Sequence, residues 1–451
     1  MTKKVLTVIV RTLLAVVAVV ILFLMFSIAP IDRALPSDQP FYESMQEQID
    51  QQIQRGVSAD SSPFSVGFGK ASITPNHPTT LAGYVKRRGA QFSGIRDSVF
   101  VRTMIIEKGH SRVAVVSLDM LLVPPILYQR LTEMLPSINF SIDQVYLGAT
   151  HTHNSVGQWD NHLVGEIYAG DFDPELIEFI TDQILHSIQQ ANTSTVRATV
   201  AYGNTAVPEA VTNRLVEDGP VDSLLHILEV VREDGSKGIF TSFTAHATCM
   251  ASADLRLSRD YPGELVDRLE ANGYTFAMFM AGAVGSHAPV HKKNGDQKIQ
   301  KMADLLFNAV QKIQPVPENT KILTFNRVQL LLGRQQIKAL PNWRVRPWLS
   351  SLLLGEHETH FSMLRIGDVV LLGTPCDFSG MLTQAVYRQA EQLGMHAFIT
   401  SFNGGYMGYV TPDDLYDLEK YETQTMNWYG PGNGRYFQDC MTRILYNLER
   451  D

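Results

Sequence analysis

Short apolar runs rich in β-branched and aromatic residues alternate along the chain with longer stretches of helical periodicity. Apolar runs of this length are typical of strands, and apolar positions that repeat every three or four residues are typical of helices. The predicted strands are Phe100–Glu107, Arg112–Leu118, Gln144–Gly148, Arg197–Tyr202, Ser223–Val231, Gly238–Thr244, Thr275–Met280, Val369–Gly373 and Ala397–Ser401. The predicted helices are Pro174–Ala191, Gly263–Ala271, Gln297–Ile313, Phe378–Leu393 and Arg435–Leu448. This alternation predicts an α/β fold, and because several strand pairs have connections too short for a parallel crossover, we expect a mixed β-sheet core flanked by helices.

The first thirty residues have a different pattern. Lys3, Lys4 and Arg11 precede a charge-free, mostly apolar run, Thr12–Ala29, which is about the shortest length that spans a hydrocarbon core. Basic residues on the N-terminal side of such a run place that end in the cytoplasm. We therefore expect residues 1–29 to be a signal-anchor, or transmembrane helix, that puts the rest of the chain outside the cytoplasm, in the periplasm if the source is bacterial. A cleaved signal peptide is the alternative, although the run is long for one.

The remainder divides into two predicted parts. Residues 30–63 are polar and punctuated by proline, with a Gln/Glu-rich stretch, Phe41–Arg55, that is compatible with one short helix. This segment is interpreted as a polar stalk. From residue 64 to residue 451 no repeat, charge block or low-complexity linker interrupts the chain, so we expect one catalytic domain over residues 64–451.

Composition excludes three classes of protein. With 451 residues, 45% of them apolar and 19% charged, the chain is not a disordered tail. Its formal charge of -8 and the lack of a basic stripe argue against a nucleic-acid partner. The cysteines Cys249, Cys376 and Cys440 are too few to staple a disulfide scaffold.

Chemically useful side chains follow four of the predicted strands. Asp119 comes after one strand, His151 and His153 after another, His246 after a third and Asp377 after a fourth. Sites in α/β sheets form beyond the carboxyl ends of strands, because loops converge there. Two imidazoles and one carboxylate are a ligand set of catalytic zinc (Zn²⁺), which keeps an open position for water. The pattern predicts a zinc site, with ordinary hydrogen-bonded histidines as the alternative.

Short motifs in a fixed order carry a family resemblance from about Phe64 to the C-terminus. Each motif is weak alone, but their shared order is specific. Together they resemble the neutral/alkaline (non-lysosomal) ceramidase family, in its N-terminal catalytic domain. The motifs are Gly67-Phe68-Gly69, Ile73-Thr74-Pro75, Gly83-Tyr84, Gly94-Ile95-Arg96-Asp97, Ala149–Ser155, Asn213-Arg214, Ala245–Met250, Leu257–Asp260, Thr374–Ser379, Asn403, Tyr406–Thr411, Lys420-Tyr421-Glu422 and Tyr429-Gly430-Pro431.

This resemblance implies a metal site with four protein ligands. His151 and His246 match the histidines that bind zinc in the family, Asp377 stands where the family has a glutamate, and Tyr409 matches the fourth ligand. A phenol is an unusual ligand for zinc, so the assignment of Tyr409 depends on the resemblance.

The resemblance also implies three residues that face the scissile amide: His153, Arg214 and Tyr421. Their chemistry suits amide hydrolysis, because a positioned cation or phenol stabilises a developing oxyanion. An imidazole passes a proton to the leaving amine.

The sequence departs from the family at three points. Ala288 stands at the position of the family's active-site serine, within Gly285–Pro289, so that a mechanism with this hydroxyl as nucleophile is not available. Ser286 and His287 are the nearest polar replacements. Asp377 is one methylene shorter than glutamate. Because the sequence runs only to Asp451, we expect a chain without the family's C-terminal β-rich domain.

The expected function is that of a membrane-anchored zinc amidohydrolase that cleaves ceramide, or a related N-acyl lipid, into fatty acid and a sphingoid base or other amine. The partners are the lipid substrate and the membrane. An apolar segment from Trp343 to Leu354 is a candidate for contact with the bilayer or an acyl chain, or else an ordinary buried loop and helix. Two alternative functions stay open: a zinc deacylase or esterase acting on another envelope lipid or amide, and a non-catalytic lipid-binding relative.

Overall fold

A nine-stranded mixed sheet forms the largest layer of the fold. The computed structural model describes residues 3–53, 62–159, 162–290, 295–318 and 322–449. Within them the strand order across this sheet is Phe276–Ala281, Lys237–Phe243, Leu224–Arg232, Val196–Ala206, Phe64–Ser72, Phe100–Lys108, Ser111–Leu118 and Val145–Ala149, with Val316–Pro317 paired to Val196–Ala206.

A second sheet of four strands packs face to face on the first. Its order is Leu323–Gln329, His360–Ile366, Val369–Thr374 and His396–Ser401. Alternation along the strands explains the packing: Val113 and Val115 of the large sheet share one buried cluster with Val369 and Leu371 of the small sheet. Residues between them in sequence, such as Ala114, belong to a different cluster on the outer face of the large sheet. Because successive side chains in a strand point to opposite faces, each sheet is apolar on both faces.

Helices cover the outer faces of both sheets. Apolar residues of Pro174–Thr193 and Pro125–Met134 pack on one half of the large sheet, and those of Asp260–Ala271 and Asp296–Val310 on the other half. Helices Pro40–Gln52, Thr383–Gln392 and Asn433–Glu449 pack on the small sheet. The other helices are Lys3–Ser27, Leu163–Ala169, Pro347–Leu354 and Tyr421–Gln424. Three further sheets are small. One has three strands, in the order Ile28–Pro30, Trp343–Val345 and Lys338–Leu340. The other two have two strands each: Arg256–Leu257 pairs with Gly94–Ile95, and His287–Pro289 pairs with Val211–Asn213. The short strands Asp377–Phe378 and Tyr409–Val410 also pair with each other.

The fold class is the predicted one: a mixed α/β core flanked by helices. One predicted element was wrong in part, since the helix expected over Phe378–Leu393 begins at Thr383. Phe378 instead lies in a short strand paired with Val410. This pairing is long-range, and local periodicity does not report it.

Parallel pairs of strands position the site. Ser111–Leu118 runs parallel to Val145–Ala149, Lys237–Phe243 to Phe276–Ala281, and Val369–Thr374 to His396–Ser401. The loops that follow these strands carry the histidines and the aspartate singled out from the sequence. Side chains from both sheets therefore meet beyond the carboxyl ends of their strands.

The segment predicted as a polar stalk contains a helix, Pro40–Gln52, that packs on the body of the domain. Met45 and Ile49 are fully buried in the cluster beneath the small sheet. The side chains of Tyr42 and Asp439 form a hydrogen bond of 2.9 Å across the same contact. Residues 54–61 of the predicted stalk lie outside the described part of the chain.

The N-terminal apolar run forms the helix Lys3–Ser27. An 18-residue window within Lys4–Ser27 has a mean hydropathy of 2.9, and none of that window is buried, whereas Ser27 at the end of the helix is buried. The helix is long and apolar enough to cross a membrane. It starts earlier than the predicted run and ends two residues sooner, because Ile28–Pro30 pairs as a strand with Trp343–Val345.

Candidate metal centre and active site

Three buried imidazoles form the centre of the site. His151 and His153 follow the strand Val145–Ala149, and His246 follows Lys237–Phe243. The Nε2 atom of His151 lies 3.0 Å from Nε2 of His246 and 3.2 Å from Nε2 of His153. One ring nitrogen from each of the three lies within 4.8 Å of the other two, so that this group can hold a metal ion.

Backbone carbonyls fix the tautomers of two of these rings. Nδ1 of His151 lies 2.6 Å from the carbonyl oxygen of Leu121, and Nδ1 of His246 lies 2.8 Å from that of Val284. A carbonyl only accepts, so Nδ1 carries the proton in each ring and Nε2 presents a lone pair to the centre.

Burial keeps the rings neutral. It lowers the pKa of His151 to about 3, despite the opposing charge of Asp377. The pKa values of His153 and His246 also lie well below the ordinary value, for the same reason. Two neutral rings with lone pairs facing each other at 3.0 Å repel, unless a cation lies between them. The donor set therefore fits a metal ion such as zinc.

Asp377 adds an oxygen to this donor set. Its Oδ1 lies 3.5 Å from Nε2 of His151 and 3.3 Å from Nε2 of His246. This oxygen is buried and receives no hydrogen bond from the described residues, whereas Oδ2 accepts one of 2.7 Å from the hydroxyl of Tyr406. Burial raises the pKa of Asp377, so a positive charge beside Oδ1 would keep the carboxylate ionised.

Tyr409 reaches the same centre from the opposite strand of a short pair. Asp377 and Tyr409 are direct neighbours in the parallel pair Asp377–Phe378 and Tyr409–Val410. The Tyr409 hydroxyl lies 3.2 Å from Nε2 of His246. All four residues that the resemblance implied as ligands, including Asp377 with its shorter side chain, are thus brought together.

Arg214 places a partly buried positive charge beside the imidazoles. Its Nη2 donates to the Tyr409 hydroxyl at 3.0 Å and lies 3.4 Å from Nε2 of His246. On the other side its Nε lies 2.9 Å from Oε1 of Glu422. Burial lowers the pKa of the guanidinium, but Tyr409, Glu422 and Asp377 raise it by more. The arginine therefore stays charged.

A cavity of about 490 Å³ opens onto these groups. Arg214, Tyr421 and the imidazoles of His151 and His153 line its polar end. Tyr421 is 45% exposed, and because a phenol has an ordinary pKa of about 10, its hydroxyl is protonated at neutral pH and able to donate. Apolar and aromatic side chains form most of the remaining wall: Tyr84, Leu121, Leu122, Val156, Trp159, Val164, Tyr168, Leu354, Met426 and Trp428. The cavity is therefore shaped for a ligand with a polar centre and an apolar body.

The polar residues next to Ala288 do not line this cavity. Ala288 lies in the short strand His287–Pro289, paired with Thr212. Ser286 is fully buried, and its Oγ accepts a hydrogen bond of 2.8 Å from Ser379. Neither Ser286 nor His287 replaces the serine hydroxyl missing at Ala288.

Backbone strain accompanies the first histidine. His151 has φ of 60° and Phe402 has φ of 66°, a left-handed conformation that costs non-glycine residues about 1–3 kcal/mol. The two rings stack at 3.9 Å between centroids with an interplanar angle of 8°. This contact fixes the plane of the His151 ring.

Three supporting residues were not assigned roles from the sequence. Tyr406 holds Asp377, Glu422 pairs with Arg214, and Phe402 stacks on His151. Tyr406 and Glu422 belong to the motifs that carry the resemblance, so their motifs were recognised but their contacts were not. Asp119, singled out at a strand end, does not line the cavity. Its Oδ2 instead accepts a hydrogen bond from the backbone nitrogen of Phe100.

Several known proteins are similar to this chain in sequence and in fold. Neutral ceramidase from Pseudomonas aeruginosa is 26% identical over 225 residues, which cover 46% of this chain and 33% of that protein. Neutral ceramidase from Drosophila melanogaster is 27% identical over 225 residues, covering 45% and 31%. The matched region thus spans about a third of the length of these relatives.

The likeness in structure extends further than the likeness in sequence. The crystal structure of the Pseudomonas aeruginosa neutral ceramidase superposes with a TM-score of 0.74 at 21% identity, over 86% of this chain and 75% of that one. A structure described as ceramidase complexed with C2 superposes with a TM-score of 0.73 at 20% identity, over 85% and 75%. Residues 64–275 match the family model described as neutral/alkaline non-lysosomal ceramidase, N-terminal. This confirms the resemblance found in the motifs: residues 64–275 are similar to the N-terminal domain of the neutral/alkaline ceramidase family.

Proposed function

We propose that the protein is a zinc-dependent amidohydrolase that cleaves the N-acyl bond of ceramide, or of a related N-acyl lipid, into a fatty acid and an amine. The observation that carries this proposal is the convergence of electron-pair donors at the polar end of an apolar cavity. Nε2 of His151 and of His246 and Oδ1 of Asp377 face one another at 3.0–3.5 Å. Tyr409 completes the proposed set of four ligands.

When bound there, zinc lowers the pKa of a water molecule towards 7 and polarises the amide carbonyl. Arg214 contributes a fixed positive charge that stabilises the oxyanion of the tetrahedral intermediate. His153 is neutral because it is buried, so its ring accepts a proton from the attacking water and delivers it to the leaving nitrogen. The protonated phenol of Tyr421 donates a hydrogen bond to the substrate at the cavity wall.

The apolar wall of the cavity suits the acyl chain of the substrate. Its volume of about 490 Å³ is in the range of ordinary small-ligand sites. The proposed hydrolysis does not require a hydroxyl at Ala288, because the water molecule is the nucleophile.

We also propose that the helix Lys3–Ser27 is a retained anchor and that the domain works outside the cytoplasm. The helix is apolar and, apart from the buried Ser27, exposed along its length, and lysines stand at its N-terminal end. Basic residues at that end favour a cytoplasmic N-terminus. An enzyme held in this way meets lipids in the outer surface of the same membrane.

The proposal is tested by zinc analysis together with turnover of a fluorescent ceramide by the full chain in detergent, before and after chelation. We expect one zinc per chain and cleavage that stops on chelation and returns with added zinc. His246→Ala should lose the zinc and the activity together. His226→Gln is the matched control, because His226 is also buried but lies outside the site.

The results separate the proposal from its alternatives. Zinc without release of a sphingoid base would reject ceramide as substrate and favour another amide or ester. A chain without zinc, or a His246→Ala protein that keeps a full equivalent of zinc, would reject the metal assignment and favour a lipid-binding protein.

A further inference from the structure

The end of the N-terminal helix is hydrogen-bonded to a segment 318–322 residues further along the chain. The backbone nitrogen of Arg346 donates to the Ser27 carbonyl at 2.8 Å, and the indole Nε1 of Trp348 donates to the Phe26 carbonyl at 2.9 Å. The Arg346 Nε donates to the Ile28 carbonyl at 3.0 Å. The last carbonyls of a helix lack partners within it and carry partial negative charge, so these donors form a cap with matching charge.

Strand pairing extends this connection. Ile28–Pro30 pairs antiparallel with Trp343–Val345, which in turn pairs with Lys338–Leu340. The helix Pro347–Leu354 follows directly. We name residues 338–354 the docking segment. Since it is joined to the last turn of the helix by backbone pairing and by the cap, its position relative to the point where that helix ends is fixed.

The docking segment exposes four large apolar side chains. Leu340, Trp343, Trp348 and Leu352 are all exposed, Leu352 to 66%. Arg346 is exposed among them. Tryptophans beside the end of an apolar helix, with arginine between them, are typical of the interface between a membrane and water. This patch, formed by Leu340, Trp343, Trp348 and Leu352, continues the apolar surface of the N-terminal helix, which is exposed except at Ser27.

Behind this patch lies a second cavity, of about 480 Å³. The docking segment contributes Leu340, Val345, Leu353 and Leu354 to its lining. The other wall includes Val164, Tyr168 and Trp428, and these three together with Leu354 also line the cavity that holds the imidazoles. The two cavities thus share four lining residues, and the second cavity lies between the patch and the site.

We propose that the docking segment seats on the lipid bilayer where the anchor helix emerges, and that the acyl chain of the substrate reaches the site from the bilayer through the second cavity. This rests on the proposed function, in that it takes the substrate to be an N-acyl lipid and the helix to be an anchor. The bilayer is the occupant that the geometry selects, because the cap and the strand pairing place the patch beside a helix suited to cross it. A lipid drawn laterally from the membrane then keeps its chain in apolar surroundings throughout.

Tryptophan fluorescence tests the seating without any need for activity. The chain has four tryptophans; Trp159 and Trp428 are buried, and the other two lie in the patch. With the full chain in vesicles of phosphatidylcholine brominated on its acyl chains, we expect emission to be quenched relative to unbrominated vesicles. The double variant Trp343→Phe with Trp348→Phe should lose most of this quenching. No quenching of the native chain, or equal fractional quenching of the double variant, would overturn the seating.

Turnover tests the route of entry. Leu352→Glu places a carboxylate in the patch, and Val316→Glu is the matched control because Val316 is also 66% exposed but lies on the edge of the large sheet. For Leu352→Glu we expect the ratio of turnover of a long-chain amide in vesicles to that of a short-chain soluble amide to fall about tenfold, since a charge at the membrane interface opposes seating. Val316→Glu should leave this ratio unchanged.

The two readouts keep the proposals apart. If Leu352→Glu slows both substrates equally, or if Val316→Glu lowers the ratio as much, the entry route is overturned. If the protein cleaves neither amide, the proposed function fails, while quenching still decides whether the docking segment meets the bilayer.

Discussion

Residues of the proposed metal site differ in what holds them in place. His151 and His246 are each fixed by a carbonyl at Nδ1 and by Asp377 beside Nε2. His153 lies equally close to His151, but among the described residues it forms no comparable contact with Asp377. From this difference we propose that His151 and His246 are ligands and that His153 carries the proton.

Substitution of single histidines tests this separation. We expect His151→Ala to lose the zinc, and His153→Ala to keep it while turnover falls at least about 100-fold, the ordinary contribution of a general acid–base group. Metal analysis and turnover of the same preparations provide the measurement. Loss of zinc from His153→Ala would instead make this residue a ligand.

Tyr406 acts through Asp377. Its hydroxyl donates to Oδ2, which leaves Oδ1 directed at the imidazoles. Since residues that hydrogen-bond to a metal ligand change metal affinity about 10–100-fold, Tyr406→Phe should weaken zinc binding by that factor in a chelator competition titration. Tyr416→Phe is the control, because Tyr416 is buried and its hydroxyl has no hydrogen-bond partner among the described residues. An equal effect of both substitutions would reduce the role of Tyr406 to packing.

The sequence identified the site better than it identified what supports the site. Histidines and an aspartate after predicted strands pointed to one edge of the fold, and the order of the motifs supplied Tyr409, Arg214 and Tyr421. The partners of these residues were not predictable from the sequence. Glu422 and Phe402 contact Arg214 and His151 across long distances in sequence, and no local pattern encodes such contacts.

At the scale of elements, the contact between the two sheets buries a histidine. His226 stacks on Phe398 of the small sheet at 4.9 Å between centroids, and its Nδ1 lies 2.9 Å from the hydroxyl of Tyr202. Burial lowers the pKa of His226 to about 3. Below the unfolded value of about 6.5, the unfolded chain therefore binds a proton that the folded chain does not.

Because of this extra proton in the unfolded chain, the stability of the folded chain should decrease as the pH falls. For a base whose pKa is lower in the folded state, the free energy of unfolding is highest above about pH 6.5, where neither state binds the proton. It decreases as the pH falls from about 6.5 towards 3, because only the unfolded chain binds the proton there. As the pH falls through this window, the free energy of unfolding of the native chain should decrease, relative to that of His226→Phe, by up to about 1.4 kcal/mol per pH unit. Denaturant titrations of both proteins from pH 7 to pH 4.5 measure the difference, in which other titrating groups cancel. A difference that is independent of pH would contradict the assignment.

The helix Pro40–Gln52 belongs to the packed body through Met45 and Ile49. Ile49→Ala should therefore lower the free energy of unfolding by about 2–5 kcal/mol, the ordinary cost of such a cavity. Glu47→Ala, at an exposed position of the same helix, should change it little. Thermal unfolding of the full chain in detergent compares them, and equal stability of the two variants would mean that the helix is not part of the cooperative unit.

Local patterns predicted these elements unevenly. Strands with continuous apolar runs, such as Ser111–Leu118, were found, because burial on both faces leaves a plain signal. The strand Phe64–Ser72 was missed as an element, since glycines interrupt its pattern: Gly67 and Gly69 let the helix Pro174–Thr193 approach so closely that a β-carbon would meet the carbonyls of Ala191 and Ser187. The packing of Pro40–Gln52 was missed because its polar composition hides two apolar positions one turn apart.

At the scale of the whole molecule, the proposed ligands come from both layers of the sandwich. His151 and His246 follow strands of the nine-stranded sheet, whereas Asp377 follows a strand of the four-stranded sheet and pairs with Tyr409. A metal bound by all four would link the loops of the two sheets. It would also relieve the repulsion between lone pairs that the folded chain otherwise contains.

Metal binding should therefore stabilise the fold as a whole. A ligand bound only by the folded state adds about 4 kcal/mol when its free concentration is a thousand times Kd, so chelation should lower the temperature of unfolding of the native chain by several degrees. The same chelator should leave the unfolding temperature of His246→Ala unchanged, because that variant has no metal to lose. Calorimetry of both proteins in one detergent measures the two shifts. Equal shifts would mean that the chelator acts elsewhere, whereas a shift in the native chain alone would identify the histidine cluster as the link between the two sheets.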